Sequence, residues 1–471
     1  MASQRLTRSE RLSPNFAVLD RISSLVIVAM AMSGMAGFVF VAQSRDMTLP
    51  LLAVVGMVLA LFVVVRPEIG VAVLILSAAT VRVSVSTGTG TPIVASLAVA
   101  GLLIGGWTVH RILHKQELIL LPASILVPAA MLSGATLFSL IWGRLSLDPR
   151  VTYYSGFVQV QIAAAGLTII SIGLLIVGAD LLRDRRLRTV VIGVLIVAGV
   201  IALPFRWIAT PAPMVNTAGL FGIWFVAHCW ANALVNKRLP DLARFGLGAL
   251  AVAWLMMAMT IEQSWVSGWL PALIGMMGVT IAARPRLGRV IMLLGVVAIA
   301  FYNSLFYQIL VTNQQHEGSL GGEFGRLELW KRNLEVVSDH LIFGTGPAGY
   351  ALYYVTFLPD RAMSTHSNYV DVLAQNGVIG LLGLIGLLVA LLVLGKRLLP
   401  IAEDPIDRAT VAAIVGGLPA VAASLWLGDW LIPFVYNQTL AGFDHAVYSW
   451  IMFAMLCGLA TQMRQERASH G

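Results

Sequence analysis

Charged side chains are scarce in this chain of 471 residues: 11% are Asp, Glu, Lys or Arg, against about 25% in soluble domains. With 58% of residues hydrophobic, no soluble core could absorb the apolar surface, so the chain reads as a polytopic membrane protein. Cysteine is nearly absent. Cys229 and Cys457 both sit inside apolar runs, which indicates neither a disulfide framework nor a metal site and leaves the redox compartment open. Acidic residues are missing from the middle of every apolar run. All 23 fall in loops or at run ends, with Asp180, Glu262, Asp429 and Asp444 nearest the interior. Ion-coupled transporters place ionisable groups near the bilayer midplane, and that class loses support here. No Walker-type glycine loop is present, which argues against ATP-driven chemistry. No His or carboxylate cluster has ligand spacing, so neither a metal nor another cofactor is expected. No small-residue cleavage site follows the basic stretch Met1–Arg21, which argues against a removed signal peptide.

What fills the chain is apolar runs of membrane length. A helix needs about 20 residues to cross the hydrocarbon core, and the runs give about fourteen spans (twelve to fourteen). They lie near 22–42, 47–65, 69–86, 92–112, 118–142, 156–182, 189–207, 216–236, 245–263, 266–283, 289–311, 376–395, 408–428 and 444–462. The fold class is all-α. The domains are a tail at 1–21, a transmembrane bundle of about eleven helices at 22–311, a large loop at 312–375, further transmembrane helices at 376–462, and a tail at 463–471. Basic loops stay cytoplasmic. With the N-terminus inside, 22 of the 31 Lys and Arg fall on the inner side, so both termini face the cytoplasm and the large loop faces outward. This bias accounts for the net charge of +8 without a nucleic-acid partner. The cluster Arg183 to Arg188 reads as a stop-transfer anchor. His228 and Asn232, four apart within a span, read as a buried packing pair.

The outward loop holds most of the polar chemistry. From Gly322 to Ser338 the pattern is helical, with Leu327, Trp330, Leu334 and Val337 on one face. Such a helix would lie in the membrane interface. Arg326 shares a face with Trp330. It can be read as shielding or as a planar fork for a phosphate. Three glycines in Gly344-Thr345-Gly346-Pro347-Ala348-Gly349 make either an ordinary turn or a place where backbone amides approach a ligand. Then Thr365-His366-Ser367-Asn368-Tyr369 precedes a helical stretch, with Ser367 or Asn368 as its N-cap. His366 stands just before that helix, and an imidazole is the commonest general base.

The ordered set Arg326, Trp330, Gly344-x-Gly346-Pro347, His366-x-Asn368-Tyr369 and Gln375-Asn376-Gly377-Val378-Ile379-Gly380 resembles the O-antigen ligase and polymerase family of bacterial membrane glycosyltransferases. The likeness covers roughly residues 245–395. It implies a metal-independent enzyme of the inner membrane that takes a glycan from undecaprenyl diphosphate and joins it to a glycan or lipid acceptor on the periplasmic side. On matching positions, His366 would be the catalytic base, Arg326 would help hold the diphosphate, and Asn368 and Tyr369 would position the histidine or the sugar. One departure stands out. Family members carry a Ser/Thr-Arg pair where this chain reads Ser264-Trp265. The missing cation has a first substitute in Arg206, then Arg82 and Arg144; alternatively the chain is an inactive relative. A lipid-linked oligosaccharide flippase or exporter, or an assembly scaffold, stays open beside the enzyme. A flippase would line its spans with polar residues, whereas here they gather in outward loops.

Overall fold

The computed structural model describes residues 66–81, 84–85, 93–115, 121–208, 215, 217, 219–263, 265–301, 326–357 and 364–470. The expected spans 22–42 and 47–65, and Arg82, lie outside the described residues. The chain divides into two compact units, residues 1–70 with 102–118 and residues 71–101 with 119–471. In the first, His110 and His114 stack at 4.2 Å and Arg111 lies over the Trp107 ring at 5.5 Å. The second carries everything that follows.

The helices in chain order are α1 (Pro67–Thr80), α2 (Ala95–Leu113), α3 (Ala123–Leu145), α4 (Phe157–Leu181), α5 (Arg185–Trp207), α6 (Phe221–Val235), α7 (Asp241–Thr260), α8 (Val266–Ala283) and α9 (Pro285–Phe301). They continue as α10 (Arg326–Ser338), α11 (Tyr350–Phe357), α12 (Asn368–Leu398), α13 (Pro405–Ser424), α14 (Val435–Gln438) and α15 (Phe443–His470). Two-residue strands, Ser84–Val85 and Ile93–Val94, pair antiparallel. Among the described residues, nine helices are long and apolar enough to cross a membrane: α2 to α5, α7, α8, α12, α13 and α15. This is a multi-pass membrane protein. Two expected spans come out shorter, as α1 with 14 residues and α6 with 15, and the expected span 289–311 is described only as far as Phe301 in α9. At 1.5 Å per residue α6 is about 22 Å long, well short of the hydrocarbon thickness of about 30 Å. It is a central helix buried on all sides along Phe221–Ala227, wrapped by α7, α8 and α13.

Without a hydrophobic drive between helices in lipid, close packing depends on small residues. The tightest helix pairs show it. A Cβ on Gly278 of α8 would meet the Gly416 carbonyl oxygen of α13 at 2.7 Å, and one on Gly383 of α12 would meet the Leu132 amide nitrogen of α3 at 2.7 Å. The pair His228 and Asn232 is packed as expected. His228 is fully buried against Met452, and the Asn232 amide donates to the His228 carbonyl at 2.9 Å.

The arginine cluster 183–188 does more than anchor. Arg188 is 1% exposed. Its guanidinium donates to Asp407 at 2.9 Å, Gln462 at 2.7 Å and the Leu182 carbonyl at 2.8 Å. Arg185 and Arg238 both pair with Asp404. A buried charge is tolerable only when paired and hydrogen-bonded, and this network ties the start of α5, the turn after α6 and the start of α13 together at one end of the second unit.

Candidate active site

The opposite end of those helices is where the expected site residues collect. Its frame is a break in α12. Gly377 sits at φ 66°, ψ −170° inside that helix, a region open essentially to glycine alone. The break frees the carbonyls of the preceding turn, which must find partners in a span with no water. The glycine segment supplies them. The amides of Thr345 and Gly346 donate to the Ala374 and Gln375 carbonyls at 2.8 and 2.9 Å, and the Ala348 amide donates to the Gln375 side chain at 2.7 Å. Gly346, at φ 90°, is buried, and a Cβ there would meet the Ser139 carbonyl oxygen at 2.9 Å. The open alternative at this segment is thereby decided against a ligand cradle. Its amides close the broken helix.

His366 follows from this frame. It has φ 51°, and its amide donates to the Ser364 hydroxyl at 2.9 Å. Ser367 occupies the N-cap of α12 without a capping side-chain bond, because its hydroxyl donates instead to the Leu425 carbonyl at 3.2 Å. Asn368 is fully buried. Its side-chain amide donates to the Ile432 carbonyl at 2.7 Å, and its side-chain oxygen accepts from the Leu431 amide at 2.9 Å. These bonds staple the turn holding His366 to the segment 425–434. Tyr369 is half-buried and its hydroxyl donates to the Ala422 carbonyl at 2.8 Å. The side chains of Asn368 and Tyr369 are thus engaged with backbone.

Two carboxylates lie at the turn that carries His366, and neither was expected at the site. Asp429 is 1% exposed. It accepts from the Phe434 amide at 3.1 Å, hydrogen-bonds the Ser364 hydroxyl, and feels the charge of His366. Burial raises its pKa, opposed first by His366. Asp371, fully buried, accepts at one oxygen from the Tyr350 hydroxyl at 2.5 Å and the Thr365 hydroxyl at 2.7 Å. Burial, and then the adjacent Asp371 charge, raise the Tyr350 pKa, so the phenol keeps its proton and donates. Asp429 lies 63 residues beyond His366, and nothing in the local pattern signals that contact. Its place near a run end was visible; its partner was not.

Trp330 does reach the site. Its indole donates to the Thr365 carbonyl at 2.8 Å, and its ring stands 5.9 Å from Trp426, which stands 4.8 Å from Tyr369. Trp426 is 52% exposed, so this aromatic row borders open space beside His366. The burial of α10 differs from expectation. Leu334 is 49% exposed while Leu329, Asn333 and Val337 are buried. The Trp330 bond to Thr365 fixes the rotation of the helix. The side chain of Arg326, first residue of α10, lies outside the described residues.

Arg206 is brought next to the departure at Trp265. Its guanidinium lies 4.6 Å from the Trp254 ring centroid and 6.0 Å from that of Trp265. It makes a fork with the Glu262 carboxylate and donates to the Thr217 hydroxyl at 3.1 Å. Trp265 in turn packs on Trp430 at 6.1 Å, next to Asp429. Arg206 is therefore linked to the His366 turn through two tryptophans. Arg144 lies instead over Tyr153 at 4.6 Å. Among the described residues, no group of three or more His, Cys, Asp or Glu could hold a metal ion.

Comparison with known proteins agrees with the resemblance. No curated protein matches the chain. Residues 216–385 match the model of a family described as O-antigen ligase, a stretch that includes Trp330, Gly346, His366, Asn368 and Tyr369 and stops short of Arg206 and Asp429. This stretch is similar to an O-antigen ligase domain, which supports the O-antigen ligase family for this part of the chain.

Proposed function

We propose that the protein is a membrane glycosyltransferase that joins a glycan carried on undecaprenyl diphosphate to a glycan or lipid acceptor at the outer face of the bacterial inner membrane. The large loop would be periplasmic and both termini cytoplasmic, as the bias of 22 basic residues to one side supports. The observation that carries the reading is His366, half-buried on a left-handed turn beside the buried Asp429. The acceptor hydroxyl attacks the anomeric carbon and a new C–O bond forms. The bond from that carbon to the diphosphate breaks, and its electron pair leaves with the diphosphate. The hydroxyl proton passes to the imidazole. Asp429 stabilises the imidazolium and holds the ring orientation, as a carboxylate does beside a catalytic histidine.

Arg206 would hold the diphosphate. Its planar fork already grips a carboxylate, Glu262, and a phosphate presents the same paired oxygens with more charge. Trp330, Trp426 and Tyr369 offer apolar ring faces beside the histidine for a sugar.

The test is complementation of a deletion strain with Asp429→Asn and Arg206→Lys, with surface glycan and lipid-linked intermediates both measured. Arg206→Lys keeps the charge and loses the fork, so polymer should fall about tenfold or more, the value of one charge-assisted hydrogen bond in a low-dielectric site. Asp429→Asn should fall further. In both, lipid-linked units should accumulate accessible from outside. Units trapped inside would point to a flippase, and unchanged polymer in both variants would point to a scaffold.

A further inference from the structure

We propose a second, separate binding site for an anionic phospholipid, in a cleft between α12 and α15 at the end of the second unit opposite His366. The cleft has a volume of about 420 Å³, with Gly386, Ala390 and Val393 along its floor and Arg397, Arg464 and Arg467 at its mouth. This inference is independent of the glycosyl-transfer reading.

Charge balance comes first. At the same end, Arg185, Arg188 and Arg238 are each paired with Asp404 or Asp407. Arg397, Arg464 and Arg467 form no ion pair among the described residues, though they converge on one cleft. Arg464 and Arg467 are three apart on α15 and share a face. The nearby Glu466 accepts from Gln462 at 2.7 Å. Three unpaired guanidinium groups around one opening repel one another and call for an anion, and their forks fit a phosphate. Basic pockets between transmembrane helices characteristically take phospholipid headgroups.

The floor distinguishes a lipid from a free phosphate. From Arg397 to Gly386 is eleven residues of continuous helix, roughly 16 Å at 1.5 Å per residue. That is about half of the hydrocarbon thickness, the depth of one leaflet. The wall is apolar over that length and opens sideways, with Val389 54% and Val393 40% exposed. A phosphate held by the arginines would therefore have its acyl chain lying along Val393, Ala390 and Gly386.

The experiment is native mass spectrometry of the delipidated full-length protein after incubation with phosphatidylglycerol or phosphatidylcholine, with folding checked by thermal unfolding. Phosphatidylglycerol should be retained and phosphatidylcholine should not. Each of Arg397→Gln, Arg464→Gln and Arg467→Gln should weaken retention about fivefold, from the typical contribution of one basic residue at an anionic surface. Val393→Trp fills the groove with the charges intact and should lower occupancy as well. Lys396→Gln, beside the groove, should leave it unchanged. Equal retention by the triple variant, unchanged occupancy in Val393→Trp, or displacement of the lipid by millimolar inorganic phosphate would each overturn the proposal.

Discussion

Replacing His366 by alanine should lower glycan transfer by about 10²- to 10⁴-fold, the usual contribution of one positioned general base. The measurement is turnover of purified protein in lipid with a lipid-linked donor. The reason for so large an effect is geometric. His366 is held by its own amide bond to Ser364 and by the Asn368 staple to the 425–434 segment, with the Asp429 charge nearby. Of the other described imidazoles on the outward loop, the His340 ring is engaged elsewhere: it bonds Tyr353 at 2.7 Å, and burial lowers its pKa. His366→Gln keeps a hydrogen-bonding side chain and cannot take a proton, so it should be nearly as slow as alanine. Because residues that act as a unit are non-additive, His366→Ala combined with Asp429→Asn should be little worse than His366→Ala alone. Two losses that multiply in full would mean that Asp429 serves the fold rather than the histidine.

The second large effect is on folding. Gly377→Ala should strip the protein from the membrane fraction and lower the thermal midpoint of whatever remains. A left-handed, extended residue costs about 1–3 kcal/mol when it is not glycine. The new Cβ would also lie 2.1 Å from the Ile342 carbonyl oxygen, so the backbone must shift. That shift dislodges the carbonyls of Ala374 and Gln375 from their donors at Thr345 and Gly346. Gly166→Ala in α4 is the control. Nothing lies within 4 Å of the added atom, and it should be neutral or slightly stabilising. Equal accumulation of both variants would show that the break tolerates side chains and that the glycine segment is not its closure.

Much of this architecture was legible in the sequence, because membrane helices are read from apolar length alone. The bounds of α4, Phe157–Leu181, fall almost on the run 156–182. The burial of α6 inside the bundle was not visible, because length and hydropathy report that a segment avoids water, not whether protein or lipid surrounds it. His366 and Trp330 stood out as candidates from local pattern, and Arg206 from the departure at Trp265. Asp429 and Asp371 were not, since their roles arise from contacts across the fold. The rotation of α10 was missed because its strongest polar bond, Trp330 to Thr365, outweighs the apolar periodicity that sequence displays.

The Asn368 staple has a consequence in time. His366 leaves the ribosome with its neighbours on α10 and α11 already made, but the backbone at Leu431 and Ile432 that anchors its turn, and the nearby Asp429, come more than sixty residues later. At 5–20 residues per second the delay is roughly 3–14 seconds. During that interval the turn has neither its carboxylate partner nor its anchor, and it acquires both only as the hairpin of α13 and α15 packs into place. With His366 as the proposed base, assembly of the membrane-embedded chain would also be its activation. Under the proposed function, a nascent chain in a membrane that carries lipid-linked sugar would stay inert until its final helices are in the bilayer.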